Sequence, residues 1–321
     1  MQIIFLGQPG SLTYNFCAGI LRSHGDTRRP MYILAATGLV NVVLNMILVI
    51  GFHLDSAGVA IATIAAHYLS AAAALWILFH DTAEFGLHFS SLRFYKARFL
   101  EILRVGIPGG LNGAVFSISN VIVTGTVNTF GAEMVAARSA ASSLTNITYQ
   151  PISSMYSAVV SFVGQNYGAK RFDRIRKAHW YGMGIAALII FLVALVTVLF
   201  PDFFLGIFTD DAHLIDLALP YLYLIGFGYC LCALSEVTMA SSRGMGKSMV
   251  PTVLNAFFVC IPRILWVLLL FPMRPTFTFL ILCYPISWAM AATAQNISFR
   301  RYFRIEKKKY ESSLENSSPS E

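Results

Sequence analysis

The sequence predicts an all-α membrane protein that crosses the bilayer about nine times. Three observations carry this prediction: long apolar stretches, few charges, and a regular placement of those charges. Of the 321 residues, 56% are hydrophobic and only 12% are charged, and the mean hydropathy is +0.65. A helix needs about 20 apolar residues to cross the hydrocarbon, and windows of that length recur along the whole chain. The strands of a membrane barrel would be shorter and would alternate in polarity, a pattern that this sequence lacks.

The predicted spans are 3–21, 32–51, 57–79, 104–127, 134–160, 179–200, 214–240, 250–271 and 276–297. Lys and Arg next to membrane spans stay on the cytoplasmic side. Alternate loops contain 20 of the 23 Lys and Arg residues, at 22–29, 93–104, 170–177, 243–247 and 300–309. The loops between them contain only Arg274. The basic loops and the C-terminus are therefore predicted to be cytoplasmic. The net charge of +7 is explained by this membrane topology and by attraction to an anionic lipid surface. It does not indicate a nucleic-acid partner.

The loop between the fifth and sixth predicted spans has the strongest signal. Five basic residues lie between Lys170 and Lys177. Just before them, Gly164 and Gly168 are expected to break the preceding helix, because glycine is conformationally permissive. The loop is therefore predicted to be a cytoplasmic turn between two membrane-length helices.

The first and last thirds of the chain are related by a shift of 221 residues. Arg22, Gly25 and Pro30 fall on Arg243, Gly246 and Pro251. Spans one to three then correspond to the last three spans, as in transporters built from two parallel repeats. This repeat predicts a twelve-span protein of two six-helix lobes, of which the first three helices would precede this sequence.

The repeat also predicts the domain organisation. Residues 1–80 would supply the last three helices of the N-terminal lobe, 81–103 an amphipathic cytoplasmic linker, and 104–299 the six-helix C-terminal lobe. Residues 300–321 would form a basic tail that becomes polar and disordered.

Three motifs carry a resemblance to a known family. They are Gly164-Gln165-Asn166-Tyr167-Gly168-Ala169-Lys170, the loop Leu21–Pro30 with Gly25, Asp26, Thr27 and Pro30, and Gly106-Ile107-Pro108. In their order along the chain, 21–30, 106–108 and 164–170, they resemble the signature of multidrug and toxic compound extrusion (MATE) transporters. The resemblance implies export of amphipathic, often cationic, organic compounds by a secondary active antiporter in a bacterial plasma membrane. It implies Na⁺ or H⁺ as the coupling ion, no other cofactor, a monomer, and a cavity between two lobes that faces each side in turn.

Polar side chains inside spans are costly unless they face protein or water. In span 104–127, Asn112, Phe116 and Asn120 recur every four residues, as on one helix face. Span 134–160 contains a second polar group, Asn146, Tyr149 and Gln150. We interpret these six as candidate walls of a substrate cavity. For the neighbouring Ser and Thr residues, helix–helix packing is the favoured interpretation.

Glu236 is the only carboxylate well inside a predicted span, about 10 Å from the cytoplasmic edge at ~1.5 Å per residue. It is the candidate ion-coupling site, together with Arg263 on the next span. The alternative is that Glu236 and Arg263 form a structural ion pair. Arg138 is expected to extend towards the membrane surface. The five cysteines lie in apolar spans without metal-ligand spacing, so no metal site is predicted.

Two other kinds of protein remain as alternatives. A lipid-linked oligosaccharide or polysaccharide flippase of the same superfold would need a strongly cationic cavity to hold pyrophosphate, and this sequence has few deep cations. An intramembrane enzyme would need a nucleophile–base pair or a metal within the spans. Only His67 lies well inside a predicted span, without a second base at helical spacing. A transporter is therefore the favoured interpretation, and an enzyme is not.

Overall fold

The computed structural model describes residues 2–80 and 93–315, and these ranges are helical without a β-strand. The chain divides into two compact units, Met1–Lys96 and Ala97–Glu321. Each unit is described by itself below.

The first unit contains four helices. They are α1 (Gln2–Phe5), α2 (Gln8–Ser23), α3 (Arg28–Asn45), which continues as a π-helical segment over Met46–Gly51, and α4 (Asp55–His80). The predicted span 3–21 is therefore interrupted between Phe5 and Gln8. Helix α2 packs very closely on α4, since a Cβ added at Gly10 would lie 3.1 Å from the backbone carbon of His67.

The second unit contains the remaining helices. They are α5 (Lys96–Val127), α6 (Ala132–Gly168), α7 (Phe172–Leu199), α8 (Pro201–Gly206), α9 (Ala212–Gly244), α10 (Met249–Asn255), α11 (Ile261–Leu265), α12 (Phe277–Ile281) and α13 (Cys283–Glu315). π-Helical segments at Ala256–Cys260 and Trp266–Leu270 extend α10 and α11 into one long rod. Helix α9 packs against α6, α7 and α13, so it forms the centre of the unit.

Seven helical segments in the described ranges are long and apolar enough to cross a membrane, by length and composition. The predicted spans 3–21 and 134–160 are not among the seven. Helix α2 has only 16 residues, and α6 is a 37-residue helix that carries many Ser, Thr and amide side chains. On α7, apolar side chains such as Leu188, Leu192 and Leu199 are exposed, as suits contact with lipid.

Of the two glycines predicted to break the helix, Gly168 is the last residue of α6, whereas Gly164 lies inside the helix. Gly164 faces α9 at an ordinary contact distance, since a Cβ there would be 3.6 Å from the carbonyl oxygen of Gly244. The helix also continues through Pro151. The predicted tail 300–321 is helical as far as Glu315, where the ring of Phe172 contacts both Phe303 and Tyr310 and so joins α13 to the start of α7. Residues 316–321 lie outside the described residues.

The predicted linker 81–103 lies partly outside the described residues, which exclude 81–92. Its last part is not a separate segment, since α5 begins at Lys96 and continues without interruption into the predicted span 104–127.

The three basic turns at Gly25, Lys170 and Gly246 share one backbone structure. In each turn a residue with positive φ follows the helix: Gly25 (+89°), Lys170 (+57°) and Gly246 (+77°). The next amide then donates to the carbonyl five residues back, as in a Schellman motif. These bonds are Asp26 to Leu21 (3.0 Å), Arg171 to Asn166 (2.9 Å) and Lys247 to Ser242 (3.0 Å).

The 221-residue repeat is visible in the structure of each unit. The turns at Gly25 and Gly246 are equivalent in position and hydrogen bonding. The π-helical segment Met46–Gly51 has its counterpart at Trp266–Leu270, one residue out of register. Asp55 is the first residue of α4. The residue 221 positions later, Thr276, immediately precedes α12, and its side chain accepts a hydrogen bond from a backbone amide of that helix.

Candidate functional site

The second unit encloses a cavity of about 350 Å³, within the size range of small-molecule sites. Its walls are supplied by α5, α6, α9, α13 and the rod that includes α10 and α11. The lining residues are Phe116, Asn120, Arg138, Ser142, Asn146, Tyr149, Tyr221, Ile225, Tyr229, Cys232, Ser235, Glu236, Asn255, Val259, Arg263, Tyr284 and Trp288.

Helix α6 presents one continuous polar face to this cavity. Arg138, Ser142, Asn146 and Tyr149 are spaced by four, four and three residues, which places them on one side of a helix with 3.6 residues per turn. Nη2 of Arg138 donates to Oγ1 of Thr124 on α5 at 3.1 Å. The guanidinium also lies 6.0 Å from the ring centre of Tyr221, so it is directed inward and not towards the membrane surface.

Helix α9 contributes the carboxylate. Tyr221, Ile225, Tyr229 and Cys232 form a stripe of the same spacing, and Glu236 follows one turn later. The side chain of Glu236 is partly exposed at the cavity. Within the described ranges, no side chain pairs with this carboxylate as a salt bridge within 4.0 Å and none donates a hydrogen bond to it. A carboxylate at membrane depth without a fixed partner is suited to bind a cation or a proton.

Arg263 on α11 is fully buried, with 0% of its surface exposed. Its Nε donates to Oγ of Ser287 at 3.0 Å, and its Nη1 lies 3.4 Å from Oδ1 of Asn120. The guanidinium carbon lies 4.4 Å from the ring centre of Tyr284 and 5.5 Å from that of Trp288. Aromatic faces attract a cation, so this charge is held by rings and neutral oxygens.

A row of aromatic rings continues from Arg263 along the wall. The ring centres of Tyr284 and Trp288 are 5.7 Å apart, those of Trp288 and Tyr229 5.2 Å, and those of Tyr229 and Tyr149 5.8 Å. These distances lie in the range of favourable aromatic pairs. The row offers flat apolar surface with hydroxyl groups to a ring-containing ligand.

The structure brings most of the predicted site residues together. Phe116, Asn120, Asn146, Tyr149, Glu236 and Arg263 all line this one cavity. Gln150 does not line it, because the next residue of a helix turns by about 100° and leaves Gln150 exposed on another side of α6. Asn112 lies on α5, but its side chain is outside the described residues.

Two electrostatic predictions are corrected by this geometry. Glu236 and Arg263 form no salt bridge within 4.0 Å, although both line the cavity, so the alternative of a structural ion pair is not observed between these described side chains. Arg138 does not extend to the membrane surface but reaches Thr124 and Tyr221. Four aromatic lining residues were not predicted from the sequence: Tyr221, Tyr229, Tyr284 and Trp288. Their spacing of eight residues along α9 and four residues along α13 is consistent with one face of each helix.

The motif residues of the first basic turn shape its backbone, and they do not line the cavity. Gly25 supplies the left-handed position. Oδ1 of Asp26 accepts from the backbone amides of Arg28 and Arg29 at 3.1 Å, and Thr27 immediately precedes α3. The carbonyl oxygen of Pro30 accepts from the hydroxyl of Tyr14 at 2.9 Å, which joins α3 to α2.

The motif residues at the end of α6 have the same structural role. Asn166 is buried, and its carbonyl oxygen accepts the 2.9 Å bond from Arg171 that closes the turn. The carbonyl of Gln165 accepts from Ala169 at 3.1 Å. Gly168 is the last residue of the helix, and Gly164 lies at the contact with α9.

No group of three His, Cys, Asp or Glu side chains that could hold a metal ion is found among the described residues. The cysteines, four of them buried, are free thiols.

Bacterial relatives of similar sequence support the family. The chain is 25% identical over 269 residues to "Probable multidrug resistance protein YoeA" of Bacillus subtilis, which covers 80% of this chain. It is 30% identical over 242 residues to "Probable multidrug resistance protein NorM" of Listeria innocua, which covers 71% of it. The chain spans 57% and 52% of the lengths of these two relatives.

Solved structures show the same fold. The crystal structure of a point mutant of a MATE protein superimposes with a TM-score of 0.84 at 22% identity, covering 95% of this chain and 69% of its own. An outward-facing multidrug resistance MATE family transporter of the MOP superfamily superimposes with a TM-score of 0.81 at 23% identity, covering 92% of this chain and 66% of its own.

A family model assigns the chain directly. The MatE model matches residues 1–47 and 108–268, which together are more than half of the chain and include α6, α9 and most of the cavity wall. The sequence motifs, the helical fold and this match agree: the chain belongs to the MatE family of multi-pass membrane proteins.

Proposed function

We propose that this protein is a secondary active exporter of amphipathic, largely cationic organic compounds, which it exchanges for H⁺ or Na⁺. It acts as a monomer in a bacterial inner membrane, with its C-terminus in the cytoplasm. Substrate binds in the cavity of the second unit, and alternating access moves it across the membrane. The names of the bacterial multidrug resistance relatives support this assignment.

The observation that carries the proposal is an unpaired carboxylate beside a row of aromatic rings. Glu236 lines the cavity without a hydrogen bond or salt bridge from any described side chain. Tyr149, Tyr229 and Trp288 supply flat faces on the same wall. Aromatic faces and a carboxylate both attract organic cations. One carboxylate can hold either the coupling ion or the substrate cation, and such competition is the basis of exchange.

A flippase for lipid-linked oligosaccharide or polysaccharide is less well supported. A pyrophosphate group would call for several cations around it. The described lining has two arginines and one carboxylate among seventeen residues, and the remaining side chains are aromatic, aliphatic or neutral polar. This lining favours an amphipathic organic compound over a phosphorylated lipid carrier.

The experiment is dye efflux from cells that express the full chain. We expect lower ethidium accumulation than in vector controls, and we expect Glu236→Gln to abolish this difference. Gln keeps the size of the side chain but removes the charge that binds a proton or Na⁺. Glu133→Gln is the matched control, because Glu133 has 74% of its side chain exposed and lies outside the cavity.

Membrane levels of both variants are compared by immunoblot, so that loss of expression is separated from loss of coupling. Gradient-driven efflux that persists in Glu236→Gln would remove Glu236 from the ion site. Ethidium accumulation equal to that of vector controls in cells with normal membrane levels of the wild-type chain would contradict the export assignment itself.

A further inference from the structure

A further pocket of about 530 Å³ lies outside the cavity, where the turn between α6 and α7 meets the C-terminal part of α13. Most of its charged side chains are basic. The charged lining residues are Lys170, Arg171, Asp173, Arg174, Lys307 and Glu311. Lys307 already pairs with Glu311 at 3.4 Å. Four cations are therefore balanced by two carboxylates, and positive charge is in excess.

Contacts between distant parts of the sequence hold α13 against this turn. The hydroxyl of Tyr167 donates to Oε2 of Glu306 at 2.9 Å. The ring centre of Phe172 lies 5.9 Å from that of Phe303. Lys307 follows Glu306 directly, so these contacts fix the position of its backbone beside the turn. The pocket is therefore formed by two elements that are already packed together.

The two arginines of the pocket have unused hydrogen-bond donors. Arg171 and Arg174 are both exposed. In the ranges that the structure describes, neither guanidinium has an ion pair or a hydrogen-bond partner. A guanidinium can bind a phosphate with two parallel hydrogen bonds. Basic pockets at the ends of membrane-spanning helices are suited to phospholipid headgroups for this reason.

An exposed apolar stripe on α7 begins at one of these arginines. Four side chains follow Arg174: Tyr181, Ile185, Leu188 and Leu192, which are 66%, 49%, 58% and 50% exposed. Their spacings of seven, four, three and four residues place them on the same helix face as Arg174. A tyrosine between a charged and an aliphatic region is typical of the membrane interface. A phospholipid can contact the basic pocket and the stripe together, whereas a soluble phosphate can contact only the pocket.

We propose that this pocket binds the headgroup of an anionic phospholipid. The phosphate accepts hydrogen bonds from Arg171 and Arg174, and Lys307 contributes a third positive charge. The acyl chains lie along the stripe from Tyr181 to Leu192. The bound lipid joins the turn to α13 on the exposed surface of the second unit. The inference goes beyond the proposed export function and does not depend on it, because the substrate cavity is not involved.

Native mass spectrometry of the purified full chain tests the inference, because it resolves each lipid molecule bound to the protein. Dioleoyl phosphatidylglycerol and dioleoyl phosphatidylcholine have the same acyl chains and differ in net headgroup charge. The two lipids are titrated separately. We expect the first molecule of phosphatidylglycerol to bind about tenfold more tightly than phosphatidylcholine, or better. Equal dissociation constants for the two lipids overturn the inference.

Two matched double variants locate this preference. Arg174→Gln/Lys307→Gln removes one cation from each side of the pocket and is expected to reduce the preference to about twofold or less. Arg176→Gln/Lys308→Gln removes the same residue types from neighbouring exposed positions that do not line the pocket. This control is expected to keep the wild-type preference. Unchanged affinity for phosphatidylcholine shows that each variant is folded.

Either of two results would contradict a site at the pocket. One is equal loss of the preference in both double variants, since the lipid would then be held by diffuse basic charge. The other is full retention of the preference in the folded pocket variant.

The carboxylate of Glu311 provides a test in the opposite direction. Glu311→Gln releases Lys307 from its ion pair, so phosphatidylglycerol should bind about twofold more tightly or better. Unchanged or weaker binding would contradict the role of Lys307.

A soluble competitor distinguishes a lipid from a free phosphate compound. Glycerophosphoglycerol has the headgroup of phosphatidylglycerol without its acyl chains. At the same concentration as the lipid, it is expected to leave lipid binding unchanged, because the apolar stripe adds affinity only for a molecule with acyl chains. Displacement of the lipid at equal concentration would assign the pocket to a soluble phosphate and overturn the inference.

Discussion

The contact between α6 and α9 at Gly244 sets the spacing of the two helices that form most of the cavity wall. A Cβ added at Gly244 would lie 2.8 Å from both Cβ and Cγ1 of Val163 and 3.0 Å from the carbonyl oxygen of Val160. Real Cβ atoms do not approach so closely, and one of the obstacles is backbone, which cannot rotate away. Gly244→Ala must therefore push the two helices apart.

The structure gives the expected size of this effect. Overpacking at a tight contact lowers the free energy of unfolding by about 1–3 kcal/mol. At roughly 2–4 °C per kcal/mol for a domain of this size, the melting temperature should fall by about 2–12 °C. The matched control is Gly164→Ala on the facing helix, where the new Cβ would be 3.6 Å from the Gly244 carbonyl, an ordinary contact. This control should be neutral, or more stable by up to about 1 kcal/mol, because alanine favours helix.

Thermal unfolding in detergent with a thiol-reactive fluorophore measures both variants, since Cys232, Cys260 and Cys283 are free and buried in the folded state. A Gly244→Ala protein that melts at the wild-type temperature would refute the close approach of α6 and α9. Equal destabilisation by the two alanines would refute the difference between their two environments.

Two further predictions concern the left-handed residues of the basic turns. Gly246→Ala should lower the free energy of unfolding by about 1–2 kcal/mol. The φ of Gly246 is +77° and no atom lies near the new Cβ, so this loss comes from backbone strain alone. The control is Gly184→Ala, at a helical position where no atom lies within 4 Å of the new Cβ, and it should not destabilise the protein. A similar loss of stability in both variants would contradict the positive φ of the turn. Lys170→Gly should raise stability by up to about 1 kcal/mol, because lysine is held at a φ of +57°. A lower melting temperature for Lys170→Gly would show that its side chain stabilises the turn by more than its backbone strain costs.

The fold could be predicted well from the sequence because it depends on bulk properties. Placement of Lys and Arg in alternate loops follows from the cost of moving charge across a bilayer. The ends of the helices were harder to predict from the sequence. Gly164 and Gly168 were both expected to break the helix, but only Gly168 ends it. A glycine can end a helix or continue it at a contact with another helix, and its position in the sequence does not distinguish the two. The helical extension of α13 depends on distant contacts, such as the 2.9 Å bond from Tyr167 to Glu306.

The cavity was only partly predictable for a related reason. Asn146 and Tyr149 stood out because polar side chains are rare in apolar spans. Arg138 has a long side chain that could reach either the membrane surface or the cavity, and only the position of Tyr221 and Thr124 decides between them. Trp288 is compatible with lipid contact as well as with a binding site, so its sequence position alone does not place it in the wall.

The same limit applies to pairs of charges. Glu236 and Arg263 lie in neighbouring spans at depths that differ by about 9 Å at ~1.5 Å per residue, and a long arginine side chain could span this difference to form an ion pair. Depth does not specify the rotation of a helix about its axis. In the structure, the guanidinium faces Tyr284 and Trp288, and the carboxylate remains open to the cavity.

The proposed mechanism requires that one carboxylate in the second unit, Glu236, is shared by the coupling ion and the exported compound. Titration of rhodamine 123 binding to the purified full chain, over a range of pH and of Na⁺ concentration, tests it most directly. We expect protons or Na⁺ to displace the dye from the wild-type protein, and we expect Glu236→Gln to remove this competition. Dye affinity that is independent of both ions in the wild type, or competition that survives in Glu236→Gln, would contradict it.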